Sequence, residues 1–192
     1  REYKDVIIAP SDNNLGPCIL ERQEYSLRVL DHLADDTTYR QLSSADAHAT
    51  VKKVSEMIFN FTVDYNRVLN YKDEKYLSRS LEVADPFAYF YIMAKVHKKP
   101  RWKVRPIASV SGSITHGLGR WLDQQLKPIV RALPSYISSS LQLKQRLERL
   151  TFEPSRVSLF TCDAVSMYTN IDTDHALVKI AHFLRTSPLC KD

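Results

Sequence analysis

Apolar and polar positions alternate along the chain in a readable order. Residues 5–9, DVIIA, make a short apolar run that ends at Pro10, which predicts a short buried strand. Ser11-Asp12-Asn13-Asn14 is turn chemistry, and Cys18-Ile19-Leu20 is a candidate second strand. Leu27, Leu30 and Leu33, spaced by three, suggest a helix over 24–33. The clearest periodicity follows. Val51, Val54, Ile58, Phe61, Tyr65 and Val68 recur at alternating steps of three and four, so they share one face of a helix running from Asp46 to Leu69. Ser43-x-x-Asp46 is its capping box. Residues 70–85 are charged and show no period.

The texture changes at Pro86. Phe87, Ala88, Tyr89, Phe90, Tyr91, Ile92 and Met93 favour a strand. Lys98-Lys99-Pro100-Arg101-Trp102 reads as a turn with proline at a favoured position, and Val104 to Val110 as the returning strand. Together they predict a β-hairpin over 88–110. A helix over 115–133 carries Leu118, Leu122, Leu126, Ile129 and Leu133 as its apolar stripe, and Pro128 should kink it or end it early. A short helix fits 139–150. Residues 157–162, VSLFTC, read as a strand buried on both faces, with Asp163 at its end. A last helix fits 173–184, with Leu177, Ile180, Ala181 and Leu184 inward. No internal repeat or flexible linker interrupts this order.

Composition then narrows the classes. The chain has 192 residues, 44% of them hydrophobic and 26% charged, which suits a globular fold and not a disordered one. No stretch approaches the roughly 18 apolar residues of a membrane span. The start, REYKDVII, lacks the apolar core of a signal peptide. The four glycines fit neither of the two standard glycine-rich phosphate loops. Three scattered cysteines and no CxxC or HExxH argue against a structural zinc site or a disulfide framework.

Net charge is only +5, but its distribution is uneven. From Pro86 through Leu122 there is no acidic residue, against seven basic ones: Lys95, Lys98, Lys99, Arg101, Lys103, Arg105 and Arg120. Removing these seven from the 27 basic residues leaves 20 against 22 acidic ones, so the rest of the chain is slightly negative. A basic window of this kind is the footprint of a polyanion partner, and it also fits a solvated basic loop.

Three features could carry chemistry. Asp163, at the end of an apolar run, is placed as a rigidly held carboxylate would be, and a hard cation such as Mg²⁺ takes one or two such ligands. The same aspartate also suits a helix cap or a turn. Tyr168, five residues on, could sit beside a bound nucleotide sugar or pack in a core. Lys95 and Arg105, on opposite strands of the hairpin, could clamp a triphosphate. Lys98, Lys99, Arg101 and Lys103 would face a nucleic-acid backbone, with Trp102 and the neighbouring rings available for stacking or for core packing.

The order of these signals resembles a known family. AKVHKKP, then RPIASVSGSIT, then FTCDAVSMYTNID are similar to the fingers and first palm motif of reverse transcriptases, most closely those of Penelope-like retroelements, which are related to telomerase. IIAPSDNNLGPCILERQEY and DHLADDTTYRQL resemble the region before the fingers in that family. The resemblance implies an α+β fold: fingers of helices plus a β-hairpin, followed by the first strand and helix of a right-hand polymerase palm. The implied divisions are an N-terminal extension over 1–45 packing on the fingers, fingers over 46–150, and the start of the palm over 151–192.

It also implies an activity, RNA-directed DNA synthesis by attack of a primer 3′-OH on the α-phosphate of a dNTP. The implied partners are an RNA template, a DNA primer and the dNTP, with no membrane. Asp163 would be a catalytic metal ligand joined by the backbone carbonyl of Ala164, Tyr168 a steric gate, and Lys95 and Arg105 contacts to the nucleotide phosphates. The cofactor would be two Mg²⁺ ions, or Mn²⁺ in their place. Nuclear localisation follows from the family's need to reach chromosomal DNA.

The chain departs from the pattern at several points. The family's further adjacent aspartates do not follow Asp163, and Asp35-Asp36, the one adjacent pair, reads as a charged turn. Asn13 stands where the family commonly has Lys, and Ala94 where many relatives have Pro. The resemblance therefore implies a truncated polymerase, inactive by itself, with an apolar palm-facing surface through which a homodimer could form. A catalytically inactive nucleic-acid-binding remnant of a retroelement is the alternative.

Overall fold

The computed structural model describes residues 4–98, 100, 102–151, 153–158, 160–164 and 167–190. The fold is α+β, with two separate two-stranded antiparallel sheets among helices. The chain divides into two compact units, Arg1–Trp121 and Leu122–Asp192.

The first unit opens with a hairpin, β1 (Val6–Pro10) and β2 (Pro17–Glu21), paired from Val6↔Glu21 to Pro10↔Pro17. It is one-faced. Ile7, Ala9, Cys18 and Leu20 turn inward, while the pair Ile8 and Ile19 faces solvent. The expectation of a short buried strand at DVIIA is corrected to a half-buried one, because a two-stranded ribbon packed on one side hides alternate residues only.

α1 (Arg22–Leu33) follows directly. Its inner side is Glu24, Tyr25, Arg28, Val29 and His32, and the leucines whose spacing marked the helix, Leu27, Leu30 and Leu33, lie on its exposed side. α2 (Ser44–Asp64) starts at the expected capping box. The Asp46 amide donates to Ser43 Oγ at 3.1 Å, and that hydroxyl donates to Asp46 Oδ2 at 2.7 Å. The helix stops at Asp64 rather than Leu69. Tyr65 leaves helical geometry, and the last two members of the periodic stripe, Tyr65 and Val68, are exposed.

The patternless stretch after it contains α3 (Tyr71–Arg79), capped by Asn70 Oδ1, which accepts from the Asp73 amide at 3.0 Å. α3 packs against α2, and the core here is Ile58 of α2 with Leu77 of α3, both buried.

The predicted hairpin is present as β3 (Tyr89–Lys95) and β4 (Lys103–Ser109). α4 (His116–Ala132) enters the first unit through Gly117, which is buried against Ser80 at the end of α3 so closely that a Cβ there would collide with that serine. It runs on through Pro128 instead of ending at it. Pro128 lies on the exposed side, where the Gln124 carbonyl left without its helical donor can face water.

In the second unit α5 (Ser140–Glu148) is capped by Ser139 Oγ, and Arg146 donates to the Pro134 carbonyl at 3.0 Å. A 3₁₀ turn, Pro154–Arg156, leads into residues 157–164. The buried strand expected at 157–162 is not formed among the described residues, and Phe160 is 87% exposed. Among the described residues this stretch has no strand beside it, and a lone strand would leave its backbone groups without partners.

α6 (Met167–Asn170) and α7 (Thr173–Thr186) complete the unit, the latter capped by Asp172. Of the four residues expected to face inward on α7, Ala181 and Leu184 are half-buried, whereas Leu177 and Ile180 are exposed. Every buried apolar residue among those described belongs to the first unit.

Candidate nucleic-acid interface

Register decides what the β3–β4 hairpin presents. Met93 stands opposite Arg105, and Lys95 opposite Lys103. Side chains alternate between faces along a strand, and opposed residues share a face. Lys95, Lys103 and Arg105 therefore lie on one face, with Tyr89, Tyr91 and Ile107 continuing it. Tyr89, Tyr91, Lys103 and Arg105 are exposed there. The other face carries Ile92 and Ala94, each 1% exposed, and it packs into the core. One face thus anchors the hairpin while the other offers three cations and two tyrosine rings.

The outer edge of β3 is closed by two side elements. The Ile92 amide donates to Tyr25 Oη at 3.2 Å, and that hydroxyl reaches the Ile92 carbonyl at 3.4 Å. Two residues on, Ser11 pairs with Ala94 in a parallel bridge. Because Ile92 turns its backbone groups away from β4, its opposite number Pro106 also turns its nitrogen outward, and no ladder bond is lost to the missing N–H.

The Ser11 bridge brings the β1–β2 loop beside the basic face. Ser11 closes that loop through its amide and hydroxyl, both bonded to the Gly16 carbonyl at 3.0 and 2.6 Å. Asn13 takes a left-handed conformation at φ 61°, one that asparagine tolerates better than most residues. The loop delivers Asp12, whose side chain is 4% exposed, to Arg105, which is 50% exposed. Nε of Arg105 lies 3.2 Å from Asp12 Oδ1. The second oxygen, Oδ2, is buried and has no hydrogen-bond partner among the described residues. Among the described residues Lys95, Lys98 and Lys103 make no ion pair.

Trp102 is engaged elsewhere. The Arg28 guanidinium lies 3.8 Å from the centre of its ring and donates to its carbonyl at 3.0 Å, while Glu24 holds Arg28 at 2.8 Å. Arg28 takes one face of this indole and ties it to α1. Lys98 is exposed at the hairpin tip, and Lys99 and Arg101 lie outside the described residues.

The remaining expected site residues belong to the second unit. Asp163 and Ala164 are exposed in irregular backbone ahead of α6. Tyr168 lies within α6, and its side chain is outside the described residues. Among the described residues no three His, Cys, Asp or Glu side chains come together. Asp35-Asp36 is a turn, as expected. Both Asp35 carboxylate oxygens accept hydroxyl bonds, from Thr37 at 2.5 Å and Thr38 at 2.9 Å. The Thr37 bond first, then that of Thr38, holds the Asp35 carboxyl below the usual carboxylate range.

Asp12 and Tyr25 fall within the stretch that resembles the region before the fingers, but neither they nor Arg28 were given a role by the sequence. Asp12 carries only turn character in the sequence, and its link to Arg105 exists only once the two hairpins are side by side. Comparison with protein-family models, with curated proteins and with solved structures finds no match to this chain.

Proposed function

We propose that this chain is the fingers and the opening of the palm of an RNA-directed DNA polymerase of the Penelope-like type. The observation that carries the reading is the β3–β4 register, which sets Lys95, Lys103 and Arg105 on one face. Lys95 and Lys103 stand directly opposite each other, and like charges so placed repel across an antiparallel pair. A bound polyanion relieves that repulsion. A triphosphate or a nucleic-acid backbone supplies the charge, and Tyr89 and Tyr91 on the same face suit the rings of nucleotides.

In this reading Lys95 and Arg105 hold the phosphates of the incoming nucleotide. Lys98, Lys99, Arg101 and Lys103 lie along the template–primer backbone. Asp163 supplies one carboxylate of a set completed by carboxylates outside these residues, and Tyr168 screens the 2′ position of the sugar. No step of the chemistry is assigned to the 192 residues alone, and by themselves they are expected to bind but not to extend a primer.

The test is RNA-templated primer extension with dNTPs and Mg²⁺ by a chain carried downstream through the further palm carboxylates, with Asp163→Ala alongside. Synthesis by the unaltered chain only supports the reading and the role of Asp163. Equal synthesis by both removes Asp163 from the site. Silence from both, with salt-dependent binding to the template–primer, would establish a binding remnant in place of an enzyme.

A further inference from the structure

We infer that Asp12 is a positioning residue, one that aims the Arg105 guanidinium at the phosphates of a nucleoside triphosphate. The inference rests on the proposed function and gives a role to a residue of the N-terminal stretch, where the resemblance assigned none. A carboxylate that is 4% exposed demands a cation, because burying an uncompensated charge is costly. Among the described residues the cation paired with it is Arg105.

Asp12 itself is fixed. Its loop is closed by the Ser11–Gly16 bonds and pinned to β3 by the Ser11–Ala94 bridge. Among the described residues the second oxygen has no hydrogen-bond partner that would draw the carboxylate elsewhere. The contact runs through Nε, and no hydrogen bond to either terminal Nη group is made among the described residues. The Nη pair is the fork that takes phosphate oxygens end-on. Arg105 is half exposed on the face shared with Lys95 and Lys103, so the fork is held beside two further cations. Fixing a long side chain before the ligand arrives removes the entropy of ordering it on binding.

The sign of the effect makes the idea testable. Asp12 is an anion beside an anion site. If it acted only through its charge, neutralising it would strengthen triphosphate binding. As a positioning residue, its loss should weaken binding. The experiment is calorimetric titration of the 192-residue chain with deoxythymidine triphosphate, and with inorganic triphosphate, using Asp12→Asn, Arg105→Ala and the double variant. Asp12→Asn should weaken binding about tenfold, the size of a coupling between contacting residues, and should change it less than about twofold in the Arg105→Ala background.

Tighter or unchanged binding by Asp12→Asn overturns the positioning role while leaving the phosphate face intact. No binding by the unaltered chain, or no loss in Arg105→Ala, overturns the phosphate-face reading and Asp12's role with it. Should Asp12→Asn fail to fold, NMR of the unaltered chain decides. The Arg105 Nε–H signal should be protected from exchange and stay protected when triphosphate is added. An unprotected signal, or protection lost as triphosphate binds, overturns the inference.

Discussion

Removing one hydroxyl should loosen the strand that carries the basic face. Tyr25 Oη accepts from the Ile92 amide at 3.2 Å and reaches the Ile92 carbonyl at 3.4 Å, on the edge of β3 that β4 does not cover. Tyr25→Phe keeps the ring and its packing, so the apolar contribution is unchanged. What is lost is the partner of a backbone N–H on a residue that is 1% exposed. A net hydrogen bond is worth about 0.5–1.5 kcal/mol, and a stranded buried donor costs about 1–3 kcal/mol. Both contacts are at the long end of good geometry, which places the expected loss at about 1–2 kcal/mol. For a cooperative unit of this size, that lowers Tm by about 3–10 °C. Thermal melting followed by circular dichroism measures it, with amide exchange at Ile92 as the local readout. A Tm change below about 1 °C together with unchanged exchange at Ile92 would refute the reasoning, since some other group would then satisfy this edge.

Two glycines of α4 should respond in opposite directions. Gly117→Ala drives a Cβ into Ser80, whose hydroxyl is tied to the Leu77 carbonyl at 2.6 Å; an overpacking cost of about 1–3 kcal/mol then exceeds the gain of about 1 kcal/mol in helix propensity. Gly119→Ala meets nothing within 4 Å and should stabilise by up to about 1 kcal/mol, so equal shifts of the two urea midpoints would sink the packing argument. The lowered Asp35 carboxyl means that the 35–39 turn gains stability above the ordinary carboxylate range and loses it as pH falls through the lowered value. Thr37 and Thr38 amide shifts should follow that titration, and Asp35→Asn should abolish it; shifts that still titrate in the variant would assign them to another group. Finally, Lys98→Ala and Lys103→Ala should each flatten the salt dependence of single-strand binding by about 0.7 in log–log slope, whereas Arg28→Ala, already engaged with Trp102, should leave it unchanged.

Local signals were legible where a residue's own neighbours decide its structure. The Ser43 cap, the turn at Asp35 and the β3–β4 hairpin all follow from patterns a few residues long. α3 was missed because its buried face rests on a single large residue, Leu77, which gives no period, although Asn70 and Asp73 already spelled its cap. α1 shows the opposite failure. Three evenly spaced leucines marked the helix yet lie outside, and the side that packs is built from Tyr25, Arg28 and His32. Those residues bury apolar stems and rings while their polar tips find partners, so a search for hydrophobic positions passes over them. VSLFTC failed for a third reason. β propensity describes a strand that has a neighbour to pair with, and among the described residues this one has none.

The same distinction explains how three cations can share one narrow ribbon. An isolated two-stranded hairpin is marginal in water, and opposed lysines weaken it by about 0.2–1 kcal/mol. The stability has to come from elsewhere, and it comes from the faces and edges the cations do not occupy. Ile92 and Ala94 are buried behind the basic face, Tyr25 and Ser11 close the free edge, and Arg28 fastens Trp102 at the mouth of the turn. Burying Ile92 alone is worth about 1.5–3 kcal/mol, more than the lysine pair costs. The repulsion on the open face is thus carried by packing on the closed one, and under the proposed function bound phosphates would release it. Weakening the closed face, at Tyr25 or Ile92, should therefore impair phosphate binding without touching a single basic residue.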